Sequence, residues 1–227
     1  MILQNNLVTS EAGFSEKIFE KGLSIYEVIR IFKGNPIFLK DNLLRLDNSL
    51  KKSNIDIHVE DLNLPDKLQH FIRLENMTEG NLKYVLHFTS GKPDEYIFQI
   101  PHAYPTSEDY KQGVPTLTYS AMRENPGVKY INTDLRTRTN RLIKQKQVYE
   151  VLLVDKEGYI TEGSRSNVFF IGDNVIFTAP LEYVAAFLSG TSPLILPINR
   201  IDELRFDPGL PLLQELMKYY FRLLEEC

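Results

Sequence analysis

The 227-residue sequence predicts an α+β fold, and three observations carry that expectation. Leu82, Tyr84, Leu86 and Phe88 alternate strictly with their neighbours, the period of a strand with one apolar face. Leu43, Leu46 and Leu50 recur at helical spacing, as do Leu212, Leu216, Tyr219, Tyr220 and Leu223 near the C-terminus. Strand patterns dominate both halves of the chain while the helical patterns come in separate blocks, which favours segregated α+β layers.

From the N-terminus, the β-branched and aromatic run through Ile25, Val28, Ile29, Ile31 and Phe32 reads as a strand. Gly34-Asn35-Pro36 then turns it into a hairpin whose second arm is Ile37-Phe38-Leu39. Asp41 stands as N-cap to the helix of Leu43, Leu46 and Leu50, and a second helix is expected over 65–75. The alternating strand ends in the turn Ser90-Gly91-Lys92-Pro93, with residues 96–100 as its antiparallel partner. Residues 101–113 are polar with two prolines and read as a linker, dividing a small N-terminal lobe (1–104) from a C-terminal lobe (105–227). Strand pattern restarts at Thr116, and Asp134 is a suitable N-cap for a basic helix over 135–146. Gly172-Asp173-Asn174 makes a hairpin into residues 175–178, a strand follows at 194–198, and an amphipathic helix at 211–226 closes the chain.

Composition narrows the function. A chain 43% hydrophobic and 25% charged describes a soluble globular protein with ample core. The net charge of −4 argues against a general nucleic-acid or anionic-membrane partner and leaves small molecules. The single cysteine, Cys227, is the last residue, so the chain forms no internal disulfide, which fits a reducing cytoplasm. No signal-peptide pattern opens the sequence, and no apolar stretch reaches membrane-spanning length. His58, His70, His87 and His102 lack metal-ligand spacing, so no metal is expected. No Gly-x-Ser-x-Gly elbow or glycine-rich phosphate loop is present.

One stretch stands out. The apolar run 151–154 enters a charged turn at 155–158, and the polar cluster Thr161-Glu162-Gly163-Ser164-Arg165-Ser166-Asn167 precedes another apolar run, 168–171. Polar groups wedged between core segments need partners, so the cluster is either a satisfied structural loop or a site. Lys129 is the second candidate. It lies between Val128 and Tyr130-Ile131, where burial would lower its ammonium pKa and supply a nucleophilic amine. A snorkelling structural lysine is the alternative there.

Together these residues resemble the class IV (fold-type IV) pyridoxal-phosphate enzymes, the group of branched-chain aminotransferases, D-amino-acid aminotransferases and aminodeoxychorismate lyases. Thr161-Glu162-Gly163-Ser164-Arg165-Ser166-Asn167 matches the family's Thr-Glu-Gly-Ser-x-Ser-Asn signature. Gly127-Val128-Lys129-Tyr130-Ile131-Asn132 matches the segment that carries the Schiff-base lysine, 33 residues upstream of Glu162. The strand containing Tyr26 resembles one whose tyrosine faces the substrate. Asn42-Leu43-Leu44-Arg45-Leu46 resembles the His-x-x-Arg-Leu helix whose arginine holds the cofactor phosphate, and Ser189-Gly190-Thr191-Ser192 the late loop that adds donors to it.

The resemblance implies a two-lobed fold-type IV architecture with pyridoxal 5'-phosphate between the lobes, usually in a homodimer. It implies a covalent and proton-transfer role for Lys129, and Glu162 as partner of the pyridine nitrogen. Arg45, Thr191, Ser192 and Asn167 would complete the cofactor site, and Tyr26 would meet the substrate. The implied reaction is amino transfer between an L-amino acid, branched-chain donors included, and a 2-oxo acid. Elimination of pyruvate by an aminodeoxychorismate-lyase-type enzyme is the second reading. D-amino-acid transfer ranks third, for no clear counterpart of its Arg/His carboxylate trap surrounds residues 87–90. A degenerate, non-catalytic binding protein is the reading from another class. Two departures stand against the pattern: Asn42 replaces the usual histidine, and roughly 40 family positions, the length of one crossover unit, have no counterpart after Val184.

Overall fold

The computed structural model describes residues 1–102, 104–121, 133–173, 175–177 and 185–226. These fall into two compact units, one of residues 1–102 and one of the described residues from 104 onwards.

In the first unit, six strands run β1 (Ile2–Gln4), β2 (Leu7–Thr9), β3 (Leu23–Phe32), β4 (Asn35–Pro36), β5 (Glu79–Phe88) and β6 (Asp94–Ile100). They form an antiparallel sheet in the order β2-β1-β6-β5-β3-β4. Its backbone is the ten-residue ladder between β3 and β5, from Leu23 opposite Phe88 to Phe32 opposite Glu79. Side chains alternate across a strand. One face therefore carries Ile25, Ile29, Ile31, Leu82, Tyr84 and Leu86, which pack on Leu46 and Leu50 of α1 (Leu39–Lys52) and Leu68 and Phe71 of α2 (Leu64–Leu74).

The alternation in β5 predicts a half-buried strand, yet β5 is buried on both faces. The second face, where Val85 lies beside Tyr96 and Phe98 of β6 and Ile2 of β1, is covered by Phe19, which the short 3-10 turn Glu16–Glu20 brings there, with Phe14 packed against the same cluster. The expected second arm, Ile37-Phe38-Leu39, forms no strand; the pairing with β3 falls instead on Asn35–Pro36, residues expected in the turn. Ile37 N still donates to Arg30 O (3.0 Å), and then Phe38, at φ 52°, swings the chain into α1. Asp41 consequently lies in the helix's first turn rather than at its cap, a position still favourable to the helix dipole.

The second unit contains β7 (Val114–Ser120), β8 (Glu150–Val154), β9 (Ile160–Gly163), β10 (Asn167–Gly172), β11 (Val175–Phe177), β12 (Ala185–Gly190), β13 (Leu194–Ile201) and β14 (Leu204–Arg205). Its sheet has the order β11-β10-β12-β13-β7-β8-β9, with β14 on β13. Among the described residues, only β13–β7 and β7–β8 pair in parallel. Parallel neighbours need a crossover, and α4 (Thr133–Lys146) lies in the connection between β7 and β8. Val151 and Leu153 pack on Leu135 of α4. Leu152, pointing the other way, joins Val168, Phe170, Leu188, Leu196 and Ile198 in a second core. The C-terminal helix α5 (Pro211–Glu226) lays Leu213 and Met217 on Ile171, Phe187 and Ile195.

The expected linker is more ordered than its polar composition implies. Residues 107–112 form α3 (Ser107–Gln112), started by a capping box in which Thr106 Oγ1 accepts from Asp109 N (3.1 Å) and Asp109 Oδ2 accepts from Thr106 N (2.7 Å). Thr-x-x-Asp signals this pattern with aspartate in place of the commoner glutamate. Among the described residues, no helix is long and apolar enough to cross a membrane.

The packing sets an internal contrast within α1. Leu46→Ala removes a fully buried side chain and is expected to lower unfolding free energy by about 2–5 kcal/mol. Leu44→Ala, 62% exposed two positions away, should change it by about 0.5 kcal/mol or less. Urea denaturation of both variants checks the difference.

Candidate active site

The acid loop is built from β8 upward. Glu162 on β9 lies opposite Leu153, and Gly163 lies opposite Leu152. Glu162 is half-buried. Gly163 is required by space rather than by backbone angle: a Cβ there would stand 2.5 Å from Ser166 Oγ and 2.9 Å from Ser166 O. Its N–H donates to Ser166 O (2.8 Å), and Ser164 N donates to Val151 O (2.8 Å), so the chain folds tightly back on itself.

Beneath this turn sits Glu150, 2% exposed. Its Oε1 accepts from Ser164 Oγ (2.6 Å) and Val151 N (2.8 Å), and its Oε2 from Ser166 Oγ (2.9 Å) and Arg165 N (3.2 Å). Helix α4 adds two ties: Arg136 Nη1 donates to Ser164 O (3.1 Å), and Arg165 Nη2 donates to Asn140 Oδ1 (2.7 Å). The loop's polar groups are thus satisfied structurally, and Glu162 is carried on a frame held from several sides.

Asn167 begins β10, exposed, with Ser189 of β12 as its register partner. This pairing brings the acid loop beside the turn Thr191–Pro193, and Gly190 is close enough that a Cβ there would lie 3.7 Å from Ser166 Cα. Thr191 and Ser192 are half-buried in the turn. Tyr110 of α3 fixes it, its hydroxyl donating to Pro193 O (3.1 Å), and Leu194 leaves it at φ 57°, an uncommon left-handed backbone for leucine. Glu162, Asn167, Thr191 and Ser192 therefore share one neighbourhood of the second unit.

Tyr26 and Arg45 belong to the first unit, on opposite faces of its sheet. Glu27, next to Tyr26, points towards α1 and is 1% exposed. Arg45 Nε donates to its Oε1 (2.8 Å) and Arg45 Nη2 to its Oε2 (2.6 Å), a bidentate pair. Donating to Glu27 raises the pKa of the Arg45 guanidinium above its ordinary value, against the opposing effect of burial. Asn42, which stands where the family pattern has histidine, donates to Glu27 Oε2 (3.1 Å) and Val28 O (3.3 Å). Tyr26 instead packs with the aromatic cluster of the other face. Lys83 Nζ sits 5.0 Å over its ring and pairs with Glu16 at 2.5 Å. His87 is buried in a hydrogen bond to Ser24 Oγ (Nδ1, 2.7 Å), a structural role. Among the described residues, no three histidine, cysteine or acidic side chains converge as a metal cluster. Lys129 lies outside the described residues.

Sequence reasoning missed Glu150 and Glu27. Their signal was present, for each is a lone carboxylate within a strand whose neighbours on both sides are aromatic or β-branched. Such a position can hold a charge only where donors are supplied.

Fold and site define a class. The chain belongs to the class IV amino-transferase family, whose model matches residues 24–192, and that family is pyridoxal-phosphate-dependent. The chain is 28% identical to a D-alanine aminotransferase of Bacillus licheniformis over 182 residues, 72% of this chain and 61% of that protein. It is 21% identical to an aminodeoxychorismate lyase of Bacillus subtilis over 177 residues, 72% of this chain and 60% of that protein. A branched-chain-amino-acid aminotransferase of Pseudomonas aeruginosa is 22% identical over 258 aligned positions, covering 89% of this chain and 84% of that protein. The fold matches the crystal structure of the Escherichia coli branched-chain amino acid aminotransferase at a TM-score of 0.81 and 18% identity, over 98% of this chain and 93% of that one. The chain thus spans about three-fifths of the length of the D-alanine aminotransferase and the lyase.

Two variants probe this geometry. Gly163→Ala places a methyl group against Ser166 and is expected to destabilise the second unit by about 1–3 kcal/mol, read by denaturation. Arg45→Leu strands the Glu27 carboxylate, at a cost of about 1–3 kcal/mol, kept low because Arg45 is 46% exposed. Adding Glu27→Leu to that variant should recover part of the loss.

Proposed function

We propose that this chain is a pyridoxal-phosphate-dependent enzyme that moves an amino group between an L-amino acid and a 2-oxo acid, with branched-chain amino acids as leading donors. The observation that carries the reading is the acid loop, a half-buried carboxylate on a rigid turn beside a hydroxyl-bearing turn of the same unit.

These groups fit the cofactor. Its pyridine nitrogen needs a fixed carboxylate, which Glu162 supplies, and its phosphate needs N–H and O–H donors, which Thr191 and Ser192 supply with Asn167 alongside. Arg45 adds a permanent positive charge. Two of its three nitrogens are engaged by Glu27, so its contribution to the phosphate is that of an oriented charge with its remaining edge. When bound, the cofactor supplies an electron sink for the bonds at the substrate Cα. Glu162 would keep the proton on the ring nitrogen of the bound cofactor. The amine of Lys129, assigned from its sequence motif, would hold the cofactor covalently between turnovers and would carry the Cα proton. Tyr26 orients the substrate.

The proposal extends to organisation. The two lobes divide near residue 104, the enzyme works as a cytoplasmic homodimer, and the C-terminal lobe lacks family positions after Val184. Supporting the last point, the 258-position match to the P. aeruginosa protein uses 89% of the 227 residues here, about 202, so about 56 positions face no residue of this chain. A helix N-terminus that would add N–H donors to a phosphate falls within the expected shortfall, so modest cofactor affinity is expected.

The 28% identity to a D-alanine aminotransferase favours a second reading, transfer from D-amino acids. Pyruvate elimination, as in the lyase relative, is the third.

Titration with pyridoxal phosphate is expected to produce an absorption band at about 410 nm, the mark of a lysine-bound cofactor. Absence of that band in the wild type, or its persistence in Lys129→Ala, overturns the assignment and leaves the non-catalytic binding reading. With the band present, L-leucine, L-isoleucine, L-valine and D-alanine are offered with 2-oxoglutarate, beside an assay for pyruvate released from aminodeoxychorismate. Turnover with the branched L-donors is expected, and turnover with D-alanine alone, or pyruvate release alone, replaces this reading by the second or third.

A further inference from the structure

We infer that Glu150 is the positioning residue of the acid loop: its buried carboxylate sets where Glu162 stands, and through Glu162 it sets the electronic environment of the bound cofactor. The inference rests on the proposed cofactor role of Glu162, but its geometry stands by itself. Each carboxylate oxygen takes one serine hydroxyl and one backbone N–H: Ser164 and the Val151 amide on Oε1, Ser166 and the Arg165 amide on Oε2. An ionised carboxylate only accepts, and it offers about four lone-pair sites. The group is therefore fully used.

Its donors are distributed in a telling way. Three of the four come from Ser164, Arg165 and Ser166, the residues that immediately follow Glu162-Gly163, and the fourth is the amide of Glu150's own neighbour. The Gly163 N–H to Ser166 O bond and the Ser164 N–H to Val151 O bond then carry the constraint back to Glu162, whose register opposite Leu153 follows. The ties from α4, Arg136 to Ser164 O and Arg165 to Asn140, hold the loop at a carbonyl and a guanidinium instead. Glu150 is accordingly the group that binds both hydroxyls and a loop amide at once.

Glu150→Gln tests this, because an amide presents one accepting oxygen and one donating nitrogen. Whichever way it lies, it leaves a backbone N–H facing another donor. Ser164→Ala with Ser166→Ala is the companion variant, removing the hydroxyls while keeping the carboxylate. Hydrogen exchange on the cofactor-free protein is expected to speed up by about ten- to hundredfold at amides 163–166 in Glu150→Gln, while β3 and β5 stay at wild-type rates. With pyridoxal phosphate added, the dissociation constant should rise about tenfold. The pH midpoint of the bound-cofactor absorption should move in the same direction as in Glu162→Gln, by less.

A merely structural Glu150 gives a different outcome: both variants lower Tm while the dissociation constant and absorption titration remain those of the wild type. That result, or unchanged exchange at 163–166, overturns the inference. Should Glu150→Gln fail to fold, the double serine variant supplies the same readouts. Should the wild type bind no pyridoxal phosphate, the proposed function falls, and the exchange rates still decide whether Glu150 holds the loop.

Discussion

A carboxylate hidden from water must be met by donors or it unfolds its surroundings, and each unit of this protein hides one beside its candidate functional residues. Glu150 is met by two hydroxyls and two amides, and Glu27 by Arg45 and Asn42. The cost of an unpaired buried charge exceeds that of most other local errors. These two groups therefore dictate the arrangement of the polar residues around them. The loop bearing Glu162 folds back over one, and the guanidinium of Arg45 is aligned by the other.

The surrounding apolar framework explains how such charges are tolerated. In the first unit, β3 and β5 pair over ten residues with cores on both faces, so Glu27 projects from a strand that cannot shift register without moving Ile25, Ile29 and Ile31 out of the core. In the second unit, Glu150 opens a strand whose next residues, Val151, Leu152 and Leu153, are wholly buried on alternate faces. Rigid strands hold the carboxylates in place, and the carboxylates in turn order the loops.

Much of this was legible in the residues. Period-two alternation marked β5, the turn after it marked β6 as its partner, leucine spacing marked α1 and α5, and the seven-residue acid motif pointed to the family that the comparison of residues 24–192 establishes. What escaped was long-range. That β5 is covered on its second face depends on Phe19, more than sixty positions away, and no local pattern announces it. The early end of the first hairpin turned on a left-handed Phe38, where glycine or asparagine would be the usual choice. In the site, the motif was visible, while the partner of its serines lay upstream, looking like one more charged residue at a strand's edge.

The Glu150 arrangement also bears on how portable this motif is. The seven residues from Thr161 to Asn167 look like a self-contained cassette, yet two of their hydroxyls and one amide are addressed to a residue twelve positions before Glu162. Grafted alone onto another scaffold, the loop would carry its glutamate on an unanchored tether. The transferable unit is the eighteen-residue stretch from Glu150 to Asn167, two paired strands with the acceptor at one end and its donors at the other.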